Sequence, residues 1–235
     1  MILSESNKAL IISTIKTSGE KQMGLDLKFL DRTIIEKDIL LSLRFYIWED
    51  FWLSIGHHQK NIPSHWHELS KKGLIKIVKR PSGGGAVLHS GGITYALTHK
   101  KPSYKKFSYE RINKWLIESF LVIGLELKPG LMKRSTILEN CFSSSVSSDL
   151  IDKNGNKRIG SAQYWKKGSF LQHGEIQLNP PSELWFKIFK ENAPPKIELK
   201  LNKLELISYL QDSFLDYFPN LLVEKIDLSK ENEFL

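Results

Sequence analysis

The chain of 235 residues holds one cysteine, Cys141. A single thiol cannot form an intramolecular disulfide, which excludes a disulfide-framework secreted domain. It also excludes a four-thiolate zinc site and a cysteine-ligated iron–sulfur cluster within one chain. No uncharged apolar run reaches about 18 residues, the length that a membrane-spanning helix needs. The opening stretch, MILSESNKALIISTIK, lacks the basic start of a signal peptide and reads as a strand. A cytoplasmic protein without a membrane partner is therefore expected. The sequence has no internal repeats, no low-complexity segments, and no block of five or six like charges.

What the sequence has in excess is positive charge: 34 Lys and Arg against 26 Asp and Glu, a net +8. The lysines are scattered, with short pairs such as Lys71-Lys72, Lys105-Lys106 and Lys166-Lys167. That distribution reads as a solvated basic surface, or as attraction to an acidic protein partner. It lacks the basic stripe of a nucleic-acid binder. Apolar residues at 41% and charged residues at 26% are those of an ordinary globular protein.

The apolar periodicity predicts strands over 8–17, 74–80, 149–152, 158–163 and 170–178. It predicts a strand over 86–98 interrupted by Gly91-Gly92. Residues 43–55 predict a hairpin turning at Glu49-Asp50. Lys153-Asn154-Gly155 predicts another between the strands that flank it. Helices are expected over 20–37, 63–72 with Pro63 at the start, 104–127, 182–190 and 201–217. Strands in runs with unevenly spaced helices argue for an α+β domain with a largely antiparallel or mixed sheet. One domain over 1–235 is expected, with a core at about 8–190 and a C-terminal helical extension over 195–235.

Four segments can carry chemistry. Arg80-Pro81-Ser82-Gly83-Gly84-Gly85-Ala86 leads to His89. Three consecutive glycines mean either a tight loop between strands or a cradle whose N–H groups face an anion or a carbonyl. The segment is not a Walker loop, because Gly-Lys-Ser/Thr is missing. It is not a dinucleotide fingerprint, because a strand follows it. Arg80 is placed to hold a carboxylate or phosphate. Lys157 and Arg158 precede Gly160-Ser161-Ala162-Gln163, either as an exposed hairpin or as a cation brought to an acyl carbonyl. His173-Gly174 lies in a strand, as a structural pair or a ligand contact. Cys141 before Phe142 is either a small buried hydrophobe or, beside a base such as Lys157, an activated nucleophile. His65 and His67 have no identifiable third ligand, and no metal site is assigned.

Together these segments resemble the biotin/lipoate protein ligase superfamily, the lipoate–protein ligases and octanoyltransferases. The carrying motifs are Arg-x-Ser/Thr-Gly-Gly-Gly-Ala-Val-x-His at Arg80 to His89, Lys-x-x-Gly-Ser-Ala-Gln at Lys157 to Gln163, and His173-Gly174. Met23-x-x-Asp26 and Gly56-x-x-Gln59 precede them in family order. The resemblance covers about three-quarters of the chain. It implies a catalytic domain of the class II synthetase/biotin synthetase type, its mixed sheet flanked by helices. It also implies acyl transfer to the lysine of a lipoyl domain, of 2-oxoacid dehydrogenases or the glycine cleavage H protein. The glycine loop would embrace the acyl carboxyl end, Lys157 would contact the reacting carbonyl, and His89, Gln163 and His173 would line the pocket. One octanoyltransferase branch carries a cysteine about fifteen residues before the motif lysine and takes octanoate from acyl carrier protein through a thioester. Here the separation is 157 − 141 = 16 residues. The expectation is therefore a Cys141-dependent octanoyl or lipoyl transferase that needs no cofactor. The alternative is a lipoate–protein ligase using ATP and Mg2+, whose accessory domain the short tail does not supply. Biotin ligation and a non-catalytic lipoyl-binding module rank below. Ser90 departs from the common Asp, and His57-His58 replace other residues.

Overall fold

Ser18 and a run of apolar residues at spacings of three and four start the first helix. The Ser18 hydroxyl accepts from Lys21 N at 3.4 Å, capping one of the backbone donors that a helix start leaves open. The structure, a computed structural model, describes residues 7–101, 105–130 and 148–230. In chain order these form β1 (Lys8–Ile12), β2 (Lys16–Thr17), α1 (Gly19–Ile35), β3 (Ile39–Trp48), β4 (Trp52–Ile55), α2 (Ser64–Lys71) and β5 (Lys76–Lys79). Then come β6 (Val87–His89), β7 (Ile93–His99), α3 (Lys105–Val122), β8 (Leu127–Pro129), β9 (Leu150–Asp152) and β10 (Lys157–Lys166). The chain closes with β11 (Ser169–Ile176), α4 (Ser182–Phe189), α5 (Lys203–Tyr217) and β12 (Leu222–Ile226).

The described strands form two sheets. The large one is mixed, in the order β12-β1-β3-β7-β11-β10-β9-β8, with β2 beside β3. The small one is β5-β4-β6. The mixed sheet flanked by helices agrees with the expected fold class. The hairpin expected over 43–55 does not form. Both edges of β3 are taken, by β1 and β7, while β4 pairs with β5 and β6. Asp50, at φ 61, turns the chain out of one sheet and into the other. The Gly91-Gly92 break does the same between β6 and β7. A Cβ at Gly91 would lie 1.9 Å from the Asn179 carbonyl oxygen, so the crossing requires glycine. The Asn154-Gly155 hairpin forms as expected, pairing β9 with β10. The expected helix over 104–127 ends earlier, and Leu127 begins β8.

The C-terminal extension is not only helical. After α5, β12 runs parallel to β1 and extends the large sheet. The periodicity signalled α5 but could not show that a short edge strand would find β1 far back in the chain.

Pleating divides the large sheet into two faces. On one, Leu41, Leu43, Phe45, Tyr95 and Leu97 pack under Trp115, Leu116 and Phe120 of α3 and Leu206, Leu210 and Phe214 of α5. The other face, covered by α1 and the small sheet, is the more polar. Across it run Arg44, Ala96, His173 and Ala162 in one row, and Tyr46, Thr94, Glu175 and Gly160 in the next. A separate apolar cluster behind the small sheet joins Leu53, Ile55 and Leu88 to Trp66 of α2 and Trp185 of α4.

Candidate active site

The polar face brings three of the four sequence segments together. Arg80, buried just before the glycines, shapes the loop from inside. Its Nη2 donates to the carbonyls of Gly83 (2.8 Å) and Gly85 (2.6 Å), and its Nη1 to Ser54 O (2.9 Å) and Oγ (3.2 Å). These bonds turn both terminal nitrogens toward the loop and β4, where the sequence suggested a ligand carboxylate or phosphate. Gly84 takes φ 98, and Gly56 lies against it so closely that a Cβ there would sit 2.0 Å from Gly84 O. His57 N donates to Ser82 O at 2.8 Å. Ala86 is fully buried and leads into β6.

His173 of β11 reaches the loop directly. Its Nε2 lies 2.5 Å from Ser82 Oγ and its Nδ1 lies 3.0 Å from Asp26 Oδ2. Asp26, on the buried side of α1, also accepts from Arg44 Nη1 (2.7 Å) and from the Tyr46 hydroxyl (3.0 Å). Burial and the Asp26 charge push the Tyr46 phenol well above its ordinary range, so it stays a donor. Arg44 further donates to Gln22 and lies over the Tyr46 ring, 4.1 Å from its centroid.

His89, at the end of β6, sits in a second chain. Its Nδ1 meets Glu175 Oε2 at 2.8 Å and its Nε2 meets Ser54 Oγ at 2.8 Å. Thr94 donates to the same carboxylate oxygen and accepts from Trp48 Nε1 at 2.7 Å. Trp48 stacks on the imidazole at 3.9 Å. Burial lowers the His89 pKa, outweighing the opposite pull of Glu175. The ring is therefore neutral near pH 7, donating to Glu175 and accepting from Ser54. A cleft of about 620 Å³, lined by Trp48, His89, Ser90, Phe51 and Lys76, opens beside it.

Lys157 reaches this face through a β-bulge. Lys157 stands opposite Ile151, whereas Ile159 stands opposite Leu150. Arg158 is the extra residue, so Lys157 and Ile159 point to opposite faces. Ile159 packs in the main core, and Lys157 shares the face of Gly160, Ala162 and His173. Its Nζ lies 2.8 Å from Asp149 Oδ2, with both side chains nearly enclosed. Arg158, left at the bulge, bonds Asp152 at 2.7 Å and the Pro195 carbonyl at 2.6 Å. Burial alone would raise the Asp152 carboxyl, but hydrogen bonds from Asn156 and Arg158 outweigh it and the pKa is lowered.

The pleat separates residues that are neighbours in the sequence. Ser161 and Gln163 point to the α3 side, away from the glycine loop. There Ser161 Oγ meets the Tyr95 hydroxyl at 2.8 Å and Gln163 donates to Gln172 at 2.8 Å. Burial raises the Tyr95 pKa to about 12, so this chain stays uncharged. Gly174 lies under the Tyr95 ring, where a Cβ would come within 2.6 Å. Cys141 and Phe142 lie outside the described residues. The expected site omitted Glu175, Ser54 and Asp149, and Asp26 entered only as a motif position with no role. Of these, Glu175 had a signal: it stands two residues after His173 in a strand and so shares its face. Among the described residues, no three His, Cys, Asp or Glu side chains gather as a metal ligand set. No described helix is long and apolar enough to cross a membrane.

The architecture is shared with solved members of the lipoate ligase class. Protein Ta0514 of T. acidophilum, solved with bound lipoic acid, superposes with a TM-score of 0.79 at 18% identity, over 97% of this chain and 92% of that one. A lipoate-protein ligase A bound with ATP gives 0.74 at 17% identity, over 94% and 89%. Residues 19–207 match the family described as the lipoyl protein ligase A/B catalytic domain, and the chain belongs to that family. Among curated relatives, octanoyltransferase LipM of Oceanobacillus iheyensis is 34% identical over 168 residues, 68% of this chain and 60% of the relative. Octanoyltransferase LipM of Geobacillus kaustophilus is 34% identical over 181 residues, 72% and 64%. The matched part thus spans somewhat under two-thirds of these relatives' length.

Proposed function

We propose that the protein is an octanoyltransferase of protein lipoylation. The observation that carries this reading is Lys157. A bulge aims it at the face that holds the glycine loop, and Asp149 fixes its ammonium at 2.8 Å. The octanoyltransferases among its relatives point to the same chemistry. In this reading the Cys141 thiolate attacks the octanoyl thioester of acyl carrier protein. A new S–C bond forms and the carrier's thiolate leaves. The amine of the target lysine on a lipoyl domain then attacks the acyl-enzyme, forming the amide as the Cys141 S–C bond breaks. The Lys157 ammonium and the N–H groups of the glycine loop stabilise the oxyanion of each step. Both steps exchange one acyl bond for another, so the reaction needs no ATP. The excess of positive charge suits acidic protein partners. The cytoplasm, where a lone thiol stays reduced, is the assigned compartment.

The test is the intact mass of the protein after mixing with octanoyl–acyl carrier protein without ATP. The expected result is an added octanoyl group that hydroxylamine removes, absent in Cys141→Ser. No adduct, together with lipoate- and ATP-dependent modification of a lipoyl domain, would replace this reading with a ligase.

A further inference from the structure

Two carboxylate–imidazole–hydroxyl chains end on the glycine loop. Glu175–His89–Ser54 continues to Arg80, which gathers the carbonyls of Gly83 and Gly85. Asp26–His173–Ser82 enters the loop itself, one residue before Gly83. Resting on the acyl-transfer reading, we propose that Asp26 and His173 are positioning residues. They fix the direction of the Ser82 hydroxyl and, through it, the start of the loop that receives the acyl group.

Donors and acceptors set the direction of this chain. Asp26 is wholly enclosed and already accepts from Arg44 and Tyr46. An ionised carboxylate can only accept, so the proton between Asp26 and His173 sits on Nδ1. When that is the one proton on the ring, Nε2 offers only a lone pair, and the Ser82 hydroxyl points its single proton at it across 2.5 Å. The Ser82 oxygen is left solely as an acceptor. The residue is held at its backbone too, where its carbonyl accepts from His57 N. Gly83, next in line, has open space where a Cβ would stand. The clamp on Ser82 therefore adds to the Arg80 bonds on the Gly83 and Gly85 carbonyls in fixing the start of the loop.

Removing the charge two hydrogen bonds away reverses the chain. With Asp26→Asn, the amide NH2 faces Nδ1, the ring proton moves to Nε2, and the Ser82 hydroxyl must turn toward the loop. Simple packing would not need the charge. Buried ion pairs are often replaced by apolar side chains of similar volume without loss of stability.

The experiment combines histidine 15N NMR with single-turnover octanoyl transfer by the full chain. The variants are Ser82→Ala, Ser82→Thr, Asp26→Asn and the Asp26→Asn/Ser82→Ala double. In the wild type the His173 proton is expected on Nδ1, and in Asp26→Asn on Nε2. Ser82→Ala and Asp26→Asn are each expected to lower kcat/KM by about tenfold or more, and the double variant no further than the worse single, because both break one chain. Ser82→Thr keeps the hydroxyl, and the family pattern accepts Thr there. It is expected to stay within about threefold of the wild type. A wild-type ring protonated on Nε2, additive losses, or Ser82→Thr as poor as Ser82→Ala would each overturn the inference. If Asp26→Asn does not fold, the two Ser82 variants and the wild-type spectrum decide it. If the wild type transfers no octanoyl group, the proposed function falls on its own. The ring spectrum and the amide shifts of Gly83 to Gly85 in Ser82→Ala then decide, and unmoved amides overturn the positioning role.

Discussion

Gly56→Ala offers a direct test of how tightly the glycine loop is held. The new Cβ would lie 2.0 Å from Gly84 O, whereas real Cβ atoms essentially never approach under 3.0 Å. The obstacle is a backbone carbonyl, so one of the two segments must retreat by about 1 Å. Gly84 cannot yield freely. It sits at φ 98, and Arg80 holds the carbonyls on either side of it. Overpacking of this kind costs about 1–3 kcal/mol, and a displacement of ~1 Å in a positioning segment can lower turnover about 10²-fold. The control is Gly24→Ala on α1, where a Cβ meets nothing within 4 Å. It should stabilise the protein by about 0.5–1 kcal/mol through helix propensity. Tm reports stability, and the rate of appearance of the octanoyl adduct reports the loop. Gly56→Ala with wild-type Tm and acylation rate would refute the described loop packing.

Three further outcomes are expected. Arg80→Lys keeps the charge but cannot reproduce the forked contacts to Ser54, Gly83 and Gly85, so acylation should slow while the fold persists; an unchanged rate would count against Arg80 as the loop's internal brace. Arg44→Met leaves Asp26 buried without its cation and should cost about 3–5 kcal/mol in chemical denaturation, part of it regained when Asp26→Leu is added; a loss under about 1 kcal/mol would show that Tyr46 and His173 suffice. The lowered His89 pKa makes a stability contribution that is fully present above the ordinary histidine value of 6.5 and is lost as pH falls from there through the folded-state value, because the unfolded chain takes up the proton first. His99, also lowered by burial, acts in the same direction. The difference between wild type and His89→Asn therefore isolates His89, and equal slopes between pH 7 and 5 would contradict it.

Periodicity read most elements correctly, including α1, α2, α4, α5 and the β9–β10 hairpin, because apolar spacing and turn residues act locally. The motif residues Arg80, Ser82, His89, Lys157 and His173 were legible as a set only through the family resemblance, because each segment by itself reads equally as a plain loop, hairpin or strand. Pairing was not legible. The run over 43–55 looks like a hairpin, yet β3 and β4 part because β1 and β7 already occupy both edges of β3. β12 had no partner until β1 was in place.

The side-chain partners were decided only by the tertiary structure. Gly160, Ser161, Ala162 and Gln163 read as one motif, but pleating sends Ser161 and Gln163 to the α3 face and keeps Gly160 and Ala162 beside His173. One bulged residue, Arg158, turns Lys157 to the site face. Asp26 reaches His173 across 147 positions of sequence, and Glu175 reaches His89 across 86. Residue types carry their donors, acceptors and charges wherever they stand, so the chemical groups available to the site are read from the amino acids alone. Which of them face one another depends on strand register and helix docking, which are set by burial of the whole apolar pattern at once.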